Sequence, residues 1–236
     1  MKTKDQKFLT VLVSGLLFVV LLFAEQEEAT SASGNRLLRG EPAVRVVIDA
    51  GHGGIDPGKI GINGAEEKDI NLRIATLVKR YLELQDVEVV MTRETEDGLY
   101  DADASNKKVQ DMKKRIAIID EAAPALTVSI HQNSYPEEYV KGAQVFYYTG
   151  SAEGQKLADF LQTSLVQRLD PENHRQVKAN DSYYLLKKTS TPIVIVECGF
   201  LSNSEEAQKL CDSAYQERVA WAVHVGILQY LSSLEK

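Results

Sequence analysis

Val44-Arg45-Val46-Val47-Ile48-Asp49-Ala50-Gly51-His52-Gly53-Gly54 is the stretch that decides how this chain folds. Its β-branched run is too short for a helix and is closed by glycines, the pattern of a strand covered on both faces. The glycines permit a tight turn and close approach of the backbone to a ligand. His52 is thereby delivered just past the carboxyl end of a strand, the edge where open α/β sheets line their functional crevice.

The same arrangement recurs twice. Leu126-Thr127-Val128 leads into Ser129-Ile130-His131-Gln132-Asn133, and Ile193-Val194-Ile195-Val196 ends on Glu197. Strands are predicted over 44–49, 87–92, 126–130, 143–148, 183–186 and 192–196. Helices are predicted over 67–84, 106–122 and 151–169, with a short one from Ser204 and a last one from about Ser213. In the first helix Ile70, Ile74, Leu77, Val78, Tyr81 and Leu82 follow helical spacing, and in the second Val109, Met112, Ile116 and Ile119 share a face. Ser151 is a cap for the third. The last helix turns Val219, Val223, Gly226, Ile227, Tyr230 and Leu234 toward the core. The acidic stretch 94–105 reads as a mobile surface loop. The order βαβαββαββα argues for an α/β fold, a mixed, mainly parallel six-stranded sheet with helices on both faces.

With 236 residues and 44% apolar content, the chain can bury one large core. Its net charge of −7 argues against a nucleic-acid partner. Residues 8–24 are almost wholly apolar, with Lys2, Lys4 and Lys7 before them and Glu25, Glu27 and Glu28 after. That is the pattern of an export signal or membrane anchor, and the run reaches roughly 25 Å, close to the lower limit for a span. Leu22-Phe23-Ala24 is a poor cleavage site, which favours the anchor. Residues 1–28 are therefore expected to be a signal peptide or membrane anchor, 29–42 a linker, and 43–236 one catalytic domain outside the cytoplasm. Cys198 and Cys211 read as buried small apolar residues rather than a disulfide.

His52, Glu67 and His131 match the three protein ligands of a hydrolytic zinc site, which leaves one position for water. Glu66 competes with Glu67 for the ligand role. Asp49 is placed to accept from an imidazole and orient it. In an extended strand Glu197 shares a face with Ile193 and Ile195 while Cys198 points the other way. A carboxylate among β-branched residues needs a charged partner, which zinc supplies, and beside the metal it can move a proton. His174 reads as a surface residue and His224 as a structural one.

These residues resemble a family, the zinc-dependent N-acetylmuramoyl-L-alanine amidases of bacterial cell walls. The matching strings run in order: Ile48 to Gly58, Asn63-Gly64-Ala65-Glu66-Glu67-Lys68-Asp69, Met91-Thr92-Arg93, Ser129 to Asn133, and Val196-Glu197-Cys198-Gly199-Phe200-Leu201-Ser202-Asn203. The resemblance implies Zn2+ on His52, Glu67 and His131, and Glu197 as the catalytic glutamate. Asn133 is a candidate for holding substrate. Gln132 stands where relatives commonly carry a smaller residue, an expected change in the fit of the cleft. Some relatives carry a helix that blocks the site, for which the interval between His131 and Glu197 leaves no room.

A short chain with a membrane segment and no wall-binding repeats is most similar to the germination-specific, spore-cortex branch. The expected partners are peptidoglycan, an activator protein and, through the N-terminal segment, a membrane. The expected reaction is hydrolysis of the amide between N-acetylmuramic acid and L-alanine, in spore cortex maturation and muramic lactam formation. One rival is another zinc peptidoglycan hydrolase, an endopeptidase or carboxypeptidase, separable by its products. The other is a non-catalytic wall-binding or regulatory protein, which a missing ligand or a missing Glu197 would have favoured.

Overall fold

The structure, a computed structural model, describes residues 44–234. The proposed membrane segment and linker lie outside the described residues. Among those described, no helix is long and apolar enough to cross a membrane.

The elements are β1 (Arg45–Ala50), α1 (Glu67–Glu83), β2 (Glu88–Met91), α2 (Lys107–Ala122), β3 (Leu126–Asn133) and β4 (Gln144–Tyr148). They are followed by α3 (Ala152–Leu169), β5 (Lys178–Asn180), α4 (Tyr184–Lys188), β6 (Ile193–Phe200), α5 (Ser204–Cys211) and α6 (Ser213–Leu234). The sheet order is β2-β1-β3-β6-β4-β5. The first four strands of that order run parallel, whereas β4 is antiparallel to β6 and carries β5 beside it in parallel.

Strand alternation sorts the side chains into two layers. Val46, Ile48 and Ala50 of β1, Leu126, Val128 and Ile130 of β3, and Val194, Val196 and Cys198 of β6 join one large core with α1, α3 and α6. The opposite face of the sheet is smaller: Val47, Ile193 and Ile195 pack with Ile119 of α2 and Leu185 and Leu186 of α4. Asp49, Ser129 and Glu197 stand on that second face because they share parity with those residues. The three strands are central neighbours, so their carboxyl ends converge. Helix ends are closed as the residue types dictate: Ser151 accepts from Gly154 N (3.0 Å) and Asn203 from Glu206 N (2.9 Å).

Five expectations need correction. The stretch 183–186 is not a strand: the fifth strand is β5, and Tyr184–Lys188 forms the one-turn helix α4 beside the site. In α2, Val109 is 47% exposed, and the helix buries Asp111 and Arg115 together with Ile119 and Ala122. The two charged residues occupy the inward face because Arg115 pairs with both Asp111 and Asp49. The stretch 94–105 is pinned rather than loose. Glu96 O accepts from Gly54 N (2.7 Å), Tyr100 Oη from Ile55 N (2.7 Å) and Asp111 Oδ1 from Leu99 N (2.7 Å). Leu234, the last residue of α6, is 48% exposed. Finally, Cys198 is buried but Cys211 is exposed; both thiols are free.

Candidate metal centre and amidase cleft

A cleft of about 710 Å3 opens at the carboxyl ends of β1, β3 and β6, and His52, Glu67, His131, Asn133 and Glu197 all line it. His52 follows β1 on a turn that it enters with φ +61°, a left-handed conformation costing a non-glycine residue about 1–2 kcal/mol. His131 lies within β3, paired in register with Glu197 of β6. Glu67 opens α1 and is 1% exposed.

The Glu67 carboxylate reaches both imidazoles. Oε2 stands 3.3 Å from His52 Nε2, and Oε1 stands 3.0 Å from His131 Nδ1. Oε1 also accepts from Gln132 N (3.0 Å) and Asn71 Nδ2 (3.2 Å), and Oε2 from Lys59 N (2.8 Å). Burial alone would raise this carboxyl, but the two imidazoles hold it far below the usual carboxylate range. Burial likewise depresses His131, and the hydrogen bond and charge of Glu67 outweigh that and hold it above the ordinary histidine value.

One ligand atom from each of His52, Glu67 and His131 lies within 4.8 Å of the others, so the group can hold a metal ion. Donors at about 2.0–2.1 Å from a four-coordinate ion stand about 3.3 Å apart, within the 4.8 Å that bounds this group. Two imidazoles and one carboxylate are also the donor chemistry of catalytic zinc. The Glu66 carboxylate turns outward to Lys68 Nζ at 2.8 Å and is 40% exposed.

Glu197 is 7% exposed, and its Oε2 has no hydrogen-bond partner among the described residues. A buried, unpaired carboxylate oxygen costs free energy unless something else occupies the space before it. Burial drives this carboxyl up to about 7; His131 opposes the rise and Glu67 reinforces it. Tyr183, just before α4, lines the same cleft. Burial and then the charge of Glu197 push its phenol up to about 12, which keeps it an O–H donor.

Asp49 does not orient an imidazole. It accepts from Ser129 Oγ (2.5 Å), Thr92 Oγ1 (2.6 Å) and Arg115 Nη1 (2.6 Å), and these partners hold it down at about 2 against burial. The carboxylate beside His52 is Asp56, whose Oδ2 lies 3.1 Å from Nδ1 and 3.1 Å from Lys108 Nζ. Gln132 is buried and its amide donates to Asn71 Oδ1 (3.1 Å), so its influence runs to a partner of Glu67. Asn133 lines the cleft, and its Oδ1 accepts from Ser134 N (2.8 Å). His174 is exposed, and His224 is buried in α6 against Trp221 and Tyr81. The interval between His131 and Glu197 is taken up by β4, α3, β5 and α4. Sequence reasoning missed Asp56, Tyr183 and Arg115; an acid four residues after His52 was the one local signal available.

A group of two imidazoles and a carboxylate beside a second, buried carboxylate is the arrangement of a metal-dependent hydrolase. The chain belongs to the N-acetylmuramoyl-L-alanine amidase family, whose profile matches residues 46–229. It is 36% identical over 190 residues to the germination-specific N-acetylmuramoyl-L-alanine amidase of Bacillus subtilis (strain 168), a match covering 79% of each chain. It is 32% identical over 187 residues to the amidase LytC of the same organism, covering 78% of this chain and 35% of LytC. Among solved structures, the CwlD amidase from Clostridioides difficile, in complex with the GerS lipoprotein, matches with a TM-score of 0.79 at 38% identity. That match covers 80% of this chain and 99% of the CwlD chain. The amidase AmiC2 of Nostoc punctiforme matches with a TM-score of 0.69 at 32% identity, over 80% and 97% of the two chains. The chain is thus a peptidoglycan amidase.

Proposed function

We propose that His52, Glu67 and His131 bind one zinc ion, and that Glu197 is the general base and acid for hydrolysis of the amide between N-acetylmuramic acid and L-alanine. A bound zinc ion supplies the Lewis acidity that activates water and polarises the scissile carbonyl. Glu197 takes the proton from the attacking water and returns it to the departing amino group of L-alanine. Burial raises this carboxyl in the metal-free site, and a carboxylate so placed can both take and return a proton. Tyr183 stays protonated beside it and donates toward charge on that side of the cleft. Asn133 offers its amide to the substrate. One observation carries the reading: a buried carboxylate with an orphaned oxygen faces a tight His-Glu-His group at converging strand ends.

The similarity to a germination-specific amidase supports a role in spore cortex maturation, with stem peptides stripped so that muramic lactam can form. CwlD, similar over nearly its whole length, was solved with the GerS lipoprotein, which supports an activator partner for this chain as well. Residues 1–28 would act as signal or membrane anchor, 29–42 as linker and 43–236 as the catalytic domain. This places the enzyme outside the cytoplasm, in a sporulating cell between the forespore membranes.

The test is product analysis. Purified full chain, supplied with zinc and incubated with peptidoglycan, should release peptides with a free L-alanine amino terminus and leave glycan length unchanged. New reducing ends, or peptides cut between later stem residues, would refute the reading.

A further inference from the structure

The three peptide carbonyls that form the turn into His52 are all held by buried guanidinium groups. Arg115, 1% exposed, donates from Nη1 to Ala50 O (2.7 Å) and from Nη2 to His52 O (2.5 Å). Arg93, 4% exposed, donates from Nε to Ala50 O (2.9 Å) and from Nη2 to Gly51 O (3.0 Å). Arg115 also lines the cleft. Both residues give donors to the backbone that sets where the His52 ring stands.

Both also reach a second ligand's element. Arg93 Nη2 donates to Lys68 O (2.7 Å), the carbonyl of the residue after Glu67, so one guanidinium bridges the His52 turn and the first turn of α1. Arg115 Nη1 pairs with Asp49 Oδ1 (2.6 Å), and Asp49 Oδ2 accepts from Ser129 Oγ (2.5 Å), two residues before His131 on β3. From α2, Asp111 anchors Arg115 by accepting from Nε (2.6 Å). Two guanidinium groups side by side in a desolvated site repel, and burial and then Arg115 depress Arg93 to about 10. Asp49 and Asp111 offset that repulsion at Arg115, and because apolar packing of equal volume is often at least as stable, stability alone does not account for burying both arginines here.

We infer that Arg93 and Arg115 are positioning residues for the metal centre, a two-arginine clamp that holds the His52 turn in register with Glu67 on one side and His131 on the other. The inference rests on the proposal that those three side chains bind zinc. Outer partners of this kind usually change metal affinity tenfold to a hundredfold. The planar fork is essential, because an ammonium group cannot span two carbonyls and a carboxylate at once.

The test uses the full chain, zinc alone as the probe, competition with a chromophoric chelator for the dissociation constant, and the unfolding temperature of the metal-free protein. R93K and R115K should weaken zinc binding by about tenfold or more. I119A removes a fully buried side chain from the same α2. It should lower the unfolding temperature at least as much, yet leave the dissociation constant within about twofold, a contrast that merely structural arginines would not produce. Parent affinity in both lysine variants overturns the clamp, as does an equal loss of affinity in I119A. If the lysine variants do not fold, D111N decides: at least about threefold weaker binding supports the clamp, and unchanged binding overturns it. H52A separates the two ideas. It should lose zinc; if it binds as the parent does, the metal assignment fails and takes the clamp with it.

Discussion

Gly58 and Gly64 sit in one loop and both adopt left-handed backbone, with φ +71° and +84°. Replacing either with alanine imposes the same kind of strain, about 1–2 kcal/mol, which for a domain of this size lowers the unfolding temperature by roughly 2–8 °C. The surroundings differ. A Cβ on Gly64 would have nothing within 4 Å, whereas a Cβ on Gly58 would stand 2.5 Å from Glu67 Oε2 and 2.7 Å from His52 Cδ2. To reach ordinary contact at 3.4 Å, Glu67 must retreat by about 0.9 Å and His52 by about 0.7 Å. A metal site tolerates about 0.2 Å in its ligand distances. G58A should therefore lose zinc affinity by about tenfold to a hundredfold, while G64A, equally strained, keeps it. Chelator competition gives the affinities, and thermal unfolding of the metal-free variants shows that the strain is matched. Zinc binding by G58A within threefold of the parent, or an equal loss in G64A, would refute the idea that His52 and Glu67 share one ion.

E197Q keeps the shape of the strand end but cannot take a proton, so zinc should remain bound while turnover falls by about 10² or more; near-normal turnover on purified peptidoglycan would assign the proton transfer elsewhere. Glu67→Ala should abolish zinc binding in a metal titration and Glu66→Ala should leave it nearly intact, because the Glu66 carboxylate is spent on Lys68. The pH dependence follows from opposed shifts. His131, raised above its ordinary 6.5, stabilises the metal-free fold below that pH and loses the contribution as pH rises through its folded value. Glu67, depressed from 4.5, stabilises above that pH and loses the contribution as pH falls toward its folded value. Glu197, raised from 4.5 to about 7, acts in the same direction as His131 and costs stability over that interval. The unfolding temperature of the chelated protein should accordingly decline as pH rises from about 4.5 through the folded value of His131, and added zinc, which displaces the imidazole proton, should raise it more at pH 8 than at pH 5.5. A zinc-induced rise that shrinks with pH would contradict this.

The parts of the site legible in the sequence are those that end strands. A β-branched run followed by glycines or by a polar string announces its own carboxyl end, so His52, His131 and Glu197 could be assigned to one edge of one sheet. Glu67 needed the order of neighbouring strings as well, since an acid opening a helix is ordinarily there for the dipole. What stayed hidden is everything that breaks the apolar pattern in order to bury charge. Periodicity pointed α2 by its Val109, Met112, Ile116 and Ile119 face, and the true inward face includes Asp111 and Arg115, whose burial makes sense only once Asp49 is seen opposite. The stretch from Tyr183 reads as extended because its residues are aromatic and aliphatic, yet it is too short for local propensity to decide, and packing on Phe146 turns it into the single helical turn α4.

The three strands that deliver the site are adjacent in the sheet but far apart along the chain, with α1, β2 and α2 lying between β1 and β3, and β4, α3, β5 and α4 between β3 and β6. The donors can meet only after β1 has paired with β3, a closure that takes up some eighty residues of chain and makes for slow, non-local folding. A metal held at that edge would find its full set of donors only once that pairing is made. It would leave the rate of folding unchanged and act on the rate of escape, fastening a finished domain against unfolding and the proteolysis that follows it.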